Sequence, residues 1–511
     1  MMRLVVSILV ISIVASCNST SKIAKQRFEF AGNIVVAHRG AFKKNKLPEN
    51  SIAALKQAIT LQCTGSEFDV RMTADDSLII NHDPQYNKLA IEKTNYADLL
   101  AFPLSNGEKL PTLREYILAG MENNTATRLV CEIKPSEISK ERGKRIAEKT
   151  VALVTELKAI NRVTYISFDY DILKKIVEID PHAPTQYLEG NRSPEQLKAD
   201  GITGADYHFS VFKLHPEWIT SAKQHNILLN AWTVNDPADM DWLIAQGFDF
   251  ITTNEPELVF ERMKQSPIAA GWRLVWSDEF NYKGLPDSTK WNYDVGGHGW
   301  GNHELQYYTD ADTANVIVKN GRLVIRALKQ VKEKNTYTST RLISKNKGDW
   351  LYGRIEVSAK LPAGRGMWPA IWMLPTDWAY GGWPASGEID IMENVGFNPD
   401  SIFFSIHTQT FHHSINTQKT TGIELKDNRT AFHTYAIEWY ADRVDFYTDD
   451  RKVFSFANTG NGFAEWPFDK RFHLLLNIAV GGDWGGARGI DEAIQSAAME
   501  VEYVRVYQRS M

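Results

Sequence analysis

The ten residues GEIDIMENVG, 387–396, carry three carboxylates, Glu388, Asp390 and Glu393. Side chains alternate across a β-strand, so Glu388 and Asp390 share a face and Glu393 points to the other. The residues between them are apolar, which marks a buried strand and not a solvated acidic loop. A one-residue bulge at the Ile391–Met392 step removes the conflict, because a looped-out residue returns Glu393 to the face of the other two. Three acids then converge on one sheet surface. Charges that close cannot all ionise freely, so at least one group keeps its proton near neutral pH.

A nucleophile, a proton donor and a tuning acid are what a retaining glycosidase requires, its working pair about 5–5.5 Å apart. The flanks suit a glycan. GMWPAIWMLP places Trp368 and Trp372 on one strand face, and Trp383 just precedes the acids. Indole faces stack on the apolar faces of sugars. GNHELQYYT (301–309) supplies Asn302, Glu304 and Gln306 to bond hydroxyls, and His407 in SIHTQ is a candidate neighbour of the acids.

This stretch sits in a half with its own grammar. From residue 272 onward, alternating aromatic-rich runs such as YGRIEVSAKL, FHTYAIEWY and RFHLLLNIAV recur between turn residues. Twelve of the 15 Trp lie here. That pattern predicts an all-β sandwich. Residues 33–264 read differently. Short strands are expected at 34–38, 66–70, 129–134, 163–168, 185–188, 205–210, 227–234 and 248–253, alternating with amphipathic helices such as SIAALKQAITLQ and GKRIAEKTVALVTELKAI. The first of these helices is entered through Asn50 as cap. Eight strand–helix units predict a (β/α)₈ barrel, with an open doubly wound sheet as the alternative. The chain is therefore multidomain: an α/β TIM-type barrel over 33–264, a linker at 265–271, and an all-β sandwich over 272–511.

Polar residues at the C-terminal ends of barrel strands gather at one mouth. His38-Arg39 ends the first strand, Glu67 and Asp69 share a face of the second, and Glu132 and Lys134 share a face of the third. His82 follows a hairpin strand, and Glu49 lies in PEN. Convergent carboxylates at Glu67, Asp69 and Glu132 suit a hard divalent cation, Mg²⁺ or Ca²⁺. Arg39 and Lys134 suit phosphate oxygens, and two histidines can divide the acid and base roles in phosphodiester cleavage.

The remaining features bound the setting. Of 511 residues, 43% are hydrophobic and 23% charged, an ordinary globular composition. A net charge of −5 without a Lys/Arg run argues against nucleic-acid binding. Residues 1–17, MMRLVVSILVISIVASC, read as a signal peptide whose VASC end resembles a bacterial lipobox. Cys17 would then carry lipid ahead of a polar tether at 18–32. The expectation is an exported, membrane-anchored monomer facing the periplasm, touching the membrane through the anchor alone. Cys63 and Cys131 are expected free and buried.

AHRG, PENS, EFDV, NHDP and CEIKP, followed by YISFD, AWTVN and GFDFITTNEP, resemble the glycerophosphodiester phosphodiesterase family across 33–260. The resemblance implies a barrel cleaving a glycerol phosphodiester. His38 and His82 would be the acid/base pair, Glu67, Asp69 and Glu132 the metal ligands, and Arg39, Glu49 and Lys134 phosphate or supporting groups. The chain departs from the family's pattern at Asn254, where an aspartate is common.

GNHELQYYT, YGRIEVSAKLPAG, MWPAIWML, GEIDIMENVG, FHTYAIEWY and LLLNIAVGG resemble glycoside hydrolase family 16, and within it the laminarinase-like endo-β-1,3-glucanases. That resemblance implies a jelly roll with Glu388 as nucleophile, Asp390 assisting, Glu393 as acid/base, and a possible structural Ca²⁺. It places His303 where the family motif often has Asn. The E-x-D-x-x-E spacing matches the bulged branch of the family. Alternatives are a galactan or mixed-linkage glucan as substrate, transglycosylation, or one half serving as a non-catalytic glycan-binding module. Linkage of the halves suggests a common target, a glucan bearing phosphoglycerol substituents.

Overall fold

The computed structural model describes residues 29–509. The lipobox and Cys17 lie outside the described residues, as does most of the tether.

Eight parallel strands close the N-terminal barrel: β1 Val35–Ala37, β2 Gly65–Met72, β3 Arg128–Ile133, β4 Val163–Ser167, β5 Thr185–Tyr187, β6 Gly204–His208, β7 Leu228–Trp232 and β8 Phe250–Thr253. Closure is direct, since Val36 pairs with Gly65 on one side and Thr252 on the other. Each of the eight expected strands exists. The sixth is shorter than expected: His208 accepts from the Ser210 amide through its ring and starts a helix at Phe209, ending the strand. Outside the ring, helices α1 (Ile52–Thr60) and α2 (Lys140–Glu156) cover the strands with their apolar faces.

The first helix corrects one expectation. Its N-cap is Ser51, whose hydroxyl accepts from the Ala54 amide. Asn50 takes a left-handed turn at φ 57° and spends its side chain on Asp69 instead, donating to Oδ2 at 2.8 Å and accepting from the Asp69 amide at 3.1 Å. Cys63 and Cys131 are free and buried.

After the last barrel helix, a short 3₁₀ turn over Pro267–Ala270 leads into the sandwich through Gly271. Two sheets of ten and eight strands stack there. Between them lies a core of Ile, Val, Phe and Trp side chains that includes Trp291 and Trp439. The eight-stranded sheet carries the acids. Its middle runs through β9 (Met367–Pro375), β10 (Glu388–Val395), β11 (Asn398–His407) and β12 (Phe472–Val480), in the spatial order β12-β9-β10-β11. Among the described residues, no helix is long and apolar enough to cross a membrane.

Candidate active sites

The bulge is where the spacing requires it. Across β9, Trp372 pairs with Asp390 and Ile371 with Met392, so Ile391 has no partner. Ile391 and Met392 are both fully buried in the sandwich core. Two consecutive side chains enter the core, and Glu393 emerges beside Glu388 and Asp390 in a cleft of about 470 Å³.

Tryptophans hold the acids. Trp383 donates its indole N–H to Glu388 Oε2 at 2.9 Å, and Trp368 donates to Glu393 Oε1 at 3.0 Å. On the neighbouring strand β11, where His407 pairs with Glu388, its Nε2 lies 3.3 Å from Asp390 Oδ2 and 3.8 Å from Glu388 Oε1. Burial raises the pKa of all three acids. The Asp390 charge adds to the rise at Glu388 and Glu393, while the two indole bonds oppose it. The trio therefore holds at least one proton at neutral pH, which supplies a carboxylic acid ready to donate beside an ionised neighbour.

Asn302, Trp368, Trp372 and Trp383 line this cleft, and His407 reaches its acids without lining it. Gln306 does not line it. It is fully buried, donating to Glu304 Oε2 at 2.6 Å and accepting from the Val480 amide at 2.7 Å. Its task is to hold Glu304, which Asn302 also reaches at 3.2 Å. Sequence reasoning missed Arg341, whose guanidinium lies between Trp300 and Trp372 at 4.7 and 4.6 Å from the ring centroids. It also missed Asn477, which accepts from the Trp372 indole at 2.7 Å. Neither belongs to a local motif; only the pairing of β9 with β12 brings Asn477 into the cleft. His303 sits at the rim, exposed, 2.8 Å from Asp483.

In the barrel, strand ends converge as expected. Oxygens of Glu67, Asp69 and Glu132 lie within 4.8 Å of one another, all three residues buried. Lys134 Nζ sits 2.9 Å from Asp69 and 2.7 Å from Glu132. Buried Glu67 Oε1 has no hydrogen-bond partner, while Oε2 accepts from the Arg39 amide at 2.7 Å. Arg39 reaches that position through a left-handed turn at φ 53°. Gly40 follows at φ 82°, where a Cβ would strike the Ala54 backbone at 2.7 Å. Arg39 also binds Glu49.

Three oxygen donors with one left unpaired fit a hard divalent cation. The electrostatics agree. Burial and the Asp69 charge push Glu132 up to about 7, and burial with both neighbouring carboxylates raises Glu67 well above its ordinary value. Burial also raises Asp69, but Lys134, His82 and the Asn50 amide together outweigh it and hold that carboxyl below the usual range. The other three-residue group among the described residues, Glu388, Asp390 and His407, is the sandwich's acid set and does not locate a separate structural Ca²⁺.

His38 and His82 both line the small barrel cavity. His38 Nδ1 lies 2.7 Å from Asn254 Oδ1. An amide oxygen only accepts, so Nδ1 carries the proton and Nε2 keeps its lone pair. Burial and the Arg39 charge lower His38 to about 4. His82 is half exposed and pairs through Nδ1 with Asp83 at 2.8 Å.

Comparison with known proteins assigns each half. Residues 38–258 match the model of the glycerophosphoryl diester phosphodiesterase family, and residues 303–505 that of glycosyl hydrolases family 16. A third model, beta-glucan synthesis-associated protein SKN1/KRE6/Sbg1, matches 206–388, across the junction. A beta-glucanase of Rhodothermus marinus is 51% identical over 250 residues, covering 48% of this chain and 87% of that protein. A glucan endo-1,3-beta-glucosidase of Cryptopygus antarcticus is 37% identical, covering 46% and 91%. The solved structure of a glycerophosphodiester phosphodiesterase from Parabacteroides distasonis is 39% identical, covering 45% of this chain and 96% of that one, with a TM-score of 0.44.

Proposed function

The chain belongs to glycosyl hydrolase family 16 in its sandwich and to the glycerophosphoryl diester phosphodiesterase family in its barrel, and from this premise we propose that it hydrolyses β-1,3-glucan internally with retention and cleaves glycerophosphodiesters. The observation carrying the glucanase reading is the Ile391 bulge, which gathers Glu388, Asp390 and Glu393 in a tryptophan-walled cleft. Glu388 attacks the anomeric carbon as Glu393 passes its proton to the departing glycosidic oxygen. Glu393 then takes a proton from the water that releases the sugar from Glu388. Asp390 and His407 hold Glu388 in place.

In the barrel, Arg39 and Lys134 bind the phosphate, His38 Nε2 accepts a proton from the attacking oxygen, and His82 supplies one to the departing alcohol. Glu67, Asp69 and Glu132 would hold a divalent cation, Mg²⁺ or Ca²⁺, whose contribution is neutralisation of phosphoryl charge. Export as a lipoprotein anchored through Cys17 completes the proposal.

Digestion of laminarin beside agarose, with product analysis, tests the substrate. Laminarin oligosaccharides of retained configuration are expected, and activity on agarose alone would overturn the glucan assignment. Glu388→Gln should abolish glucan hydrolysis and leave phosphodiester cleavage intact.

A further inference from the structure

Around the barrel from the carboxylates, on its last four strands, lies a second polar set that the chemistry above does not use. Gln186, Asp206, Asn230 and Thr252 come from four successive strands, β5 to β8, and each is almost wholly buried. Thr252 donates to Asn230 Oδ1 at 3.2 Å, and Asn230 donates to Gln186 Oε1 at 3.4 Å. Asp206 differs. Only 1% exposed, it has a side-chain oxygen, Oδ1, without a hydrogen-bond partner. A buried polar atom left unpaired costs about 1–3 kcal/mol, so it calls for a partner that arrives from outside.

The cavity supplies the route. Asp206 forms part of the wall of the same space of about 110 Å³ that His38, Glu132 and Lys134 line, with Leu188 and Trp232 as apolar neighbours. At ~30 Å³ per water in the liquid, that volume holds roughly three or four waters. The same walls include Arg39, Glu67 and His82, so phosphate and cation share this space and leave room beside Asp206 for a short hydroxylated chain only. A diester bound with its phosphate at Arg39 and Lys134 must send one arm inward and the other out to solvent. The inner arm meets a space of fixed size, and the outer arm meets none.

We propose that Asp206 determines specificity for the glycerol arm, its free Oδ1 accepting a hydrogen bond from the terminal glycerol hydroxyl. The proposal rests on the phosphodiesterase reading of the barrel and deepens it. The inner end selects glycerol, while the departing alcohol is unrestricted in size, as a sugar hydroxyl of a polymer would require.

The test compares glycerophosphocholine with the analogue in which propane-1,2-diol replaces glycerol, keeping the hydroxyl beside the ester carbon and lacking the terminal one. The wild-type chain with Mg²⁺ should prefer glycerophosphocholine in kcat/KM by about 10- to 100-fold. Asp206→Leu should erase that preference by slowing only the glycerol substrate, and Asp206→Asn, which keeps an acceptor oxygen, should restore much of it. Calorimetry should show glycerol 3-phosphate binding weakened in Asp206→Leu and Mg²⁺ affinity unchanged in both variants. Equal loss on both substrates, or weakened Mg²⁺ binding in Asp206→Asn, would make Asp206 a support for Glu132 and overturn the proposal. If the wild-type chain cleaves neither diester, the phosphodiesterase reading fails, and the glycerol 3-phosphate titrations still decide whether Asp206 reads the polyol.

Discussion

Trp368 donates its indole N–H to Glu393 Oε1 at 3.0 Å from the strand directly beside the acid. A donor aimed at a carboxylate favours its ionised form, so this bond works against burial, which raises the Glu393 pKa to about 8. Trp368→Phe keeps an aromatic face in the cleft and removes the donor. Glu393 should then hold its proton to higher pH, and the alkaline limb of kcat/KM for laminarin should move upward. The optimum rate should fall by roughly 10- to 100-fold, the cost of one charge-assisted hydrogen bond. An unmoved or lowered alkaline limb would remove Glu393 from the acid role.

The bulge gives a second prediction. Deleting Ile391 leaves Glu388, Asp390 and Glu393 alternating with Ile389 and Met392 in an unbroken strand, so all three acids still share a face. The deletion removes a fully buried side chain and should destabilise the sandwich by about 2–4 kcal/mol. It should nevertheless hydrolyse laminarin measurably faster than Glu388→Gln. Thermal melting and reducing-sugar release check the two halves of that claim. Deletion as inactive as Glu388→Gln, in protein still folded, would show that register alone does not set the catalytic geometry.

Proton linkage at the barrel mouth gives a third. Glu132 titrates at about 7 in the folded chain against an ordinary 4.5, so between those values the cation-free fold binds more protons than the unfolded chain. Stability of the cation-free barrel should therefore fall as pH rises through that window. Cation binding has the opposite slope, because Glu132 and Glu67 must release protons to become ligands. Affinity for Mg²⁺ should weaken as pH drops from 7 to 5, by about tenfold per unit for each proton displaced. Calorimetry in buffers of different ionisation enthalpy reads the released protons directly. A pH-independent affinity would place the cation elsewhere. Chelation should stop phosphodiester cleavage and spare laminarin hydrolysis.

Much of this was legible because both sites are written in local patterns. Strand alternation exposed the misfit of Glu393, and the eight barrel strands announced themselves as short β-branched runs ending in polar residues. The failures share one cause, the absence of local signal for a partner distant in the chain. Asn50 looked like a helix cap because Asn caps helices, yet Asp69, nineteen residues on, claims its side chain. Gln306 looked free to bind hydroxyls, but the Val480 amide, 174 residues away, occupies it. Arg341 and Asp206 went unnoticed because neither lies in a motif. Their roles arise from which strands are neighbours in the two sheets.

The last prediction concerns Asn254, where the chain departs from its family's usual aspartate. Its Oδ1 fixes the His38 tautomer at 2.7 Å without contributing charge, so burial and the Arg39 charge lower His38 to about 4. Asn254→Asp keeps the acceptor oxygen and adds a negative charge beside the ring. That charge stabilises the imidazolium, so the His38 pKa should rise. A base must be unprotonated to act, and the acid limb of kcat/KM for glycerophosphocholine should accordingly move to higher pH, with the rate at pH 8 little changed. Asn254→Leu should instead free the tautomer and lower the rate across the whole range, by roughly 10- to 100-fold. If Asn254→Asp shifts the alkaline limb and leaves the acid limb in place, His38 is the proton donor and the roles of His38 and His82 are exchanged.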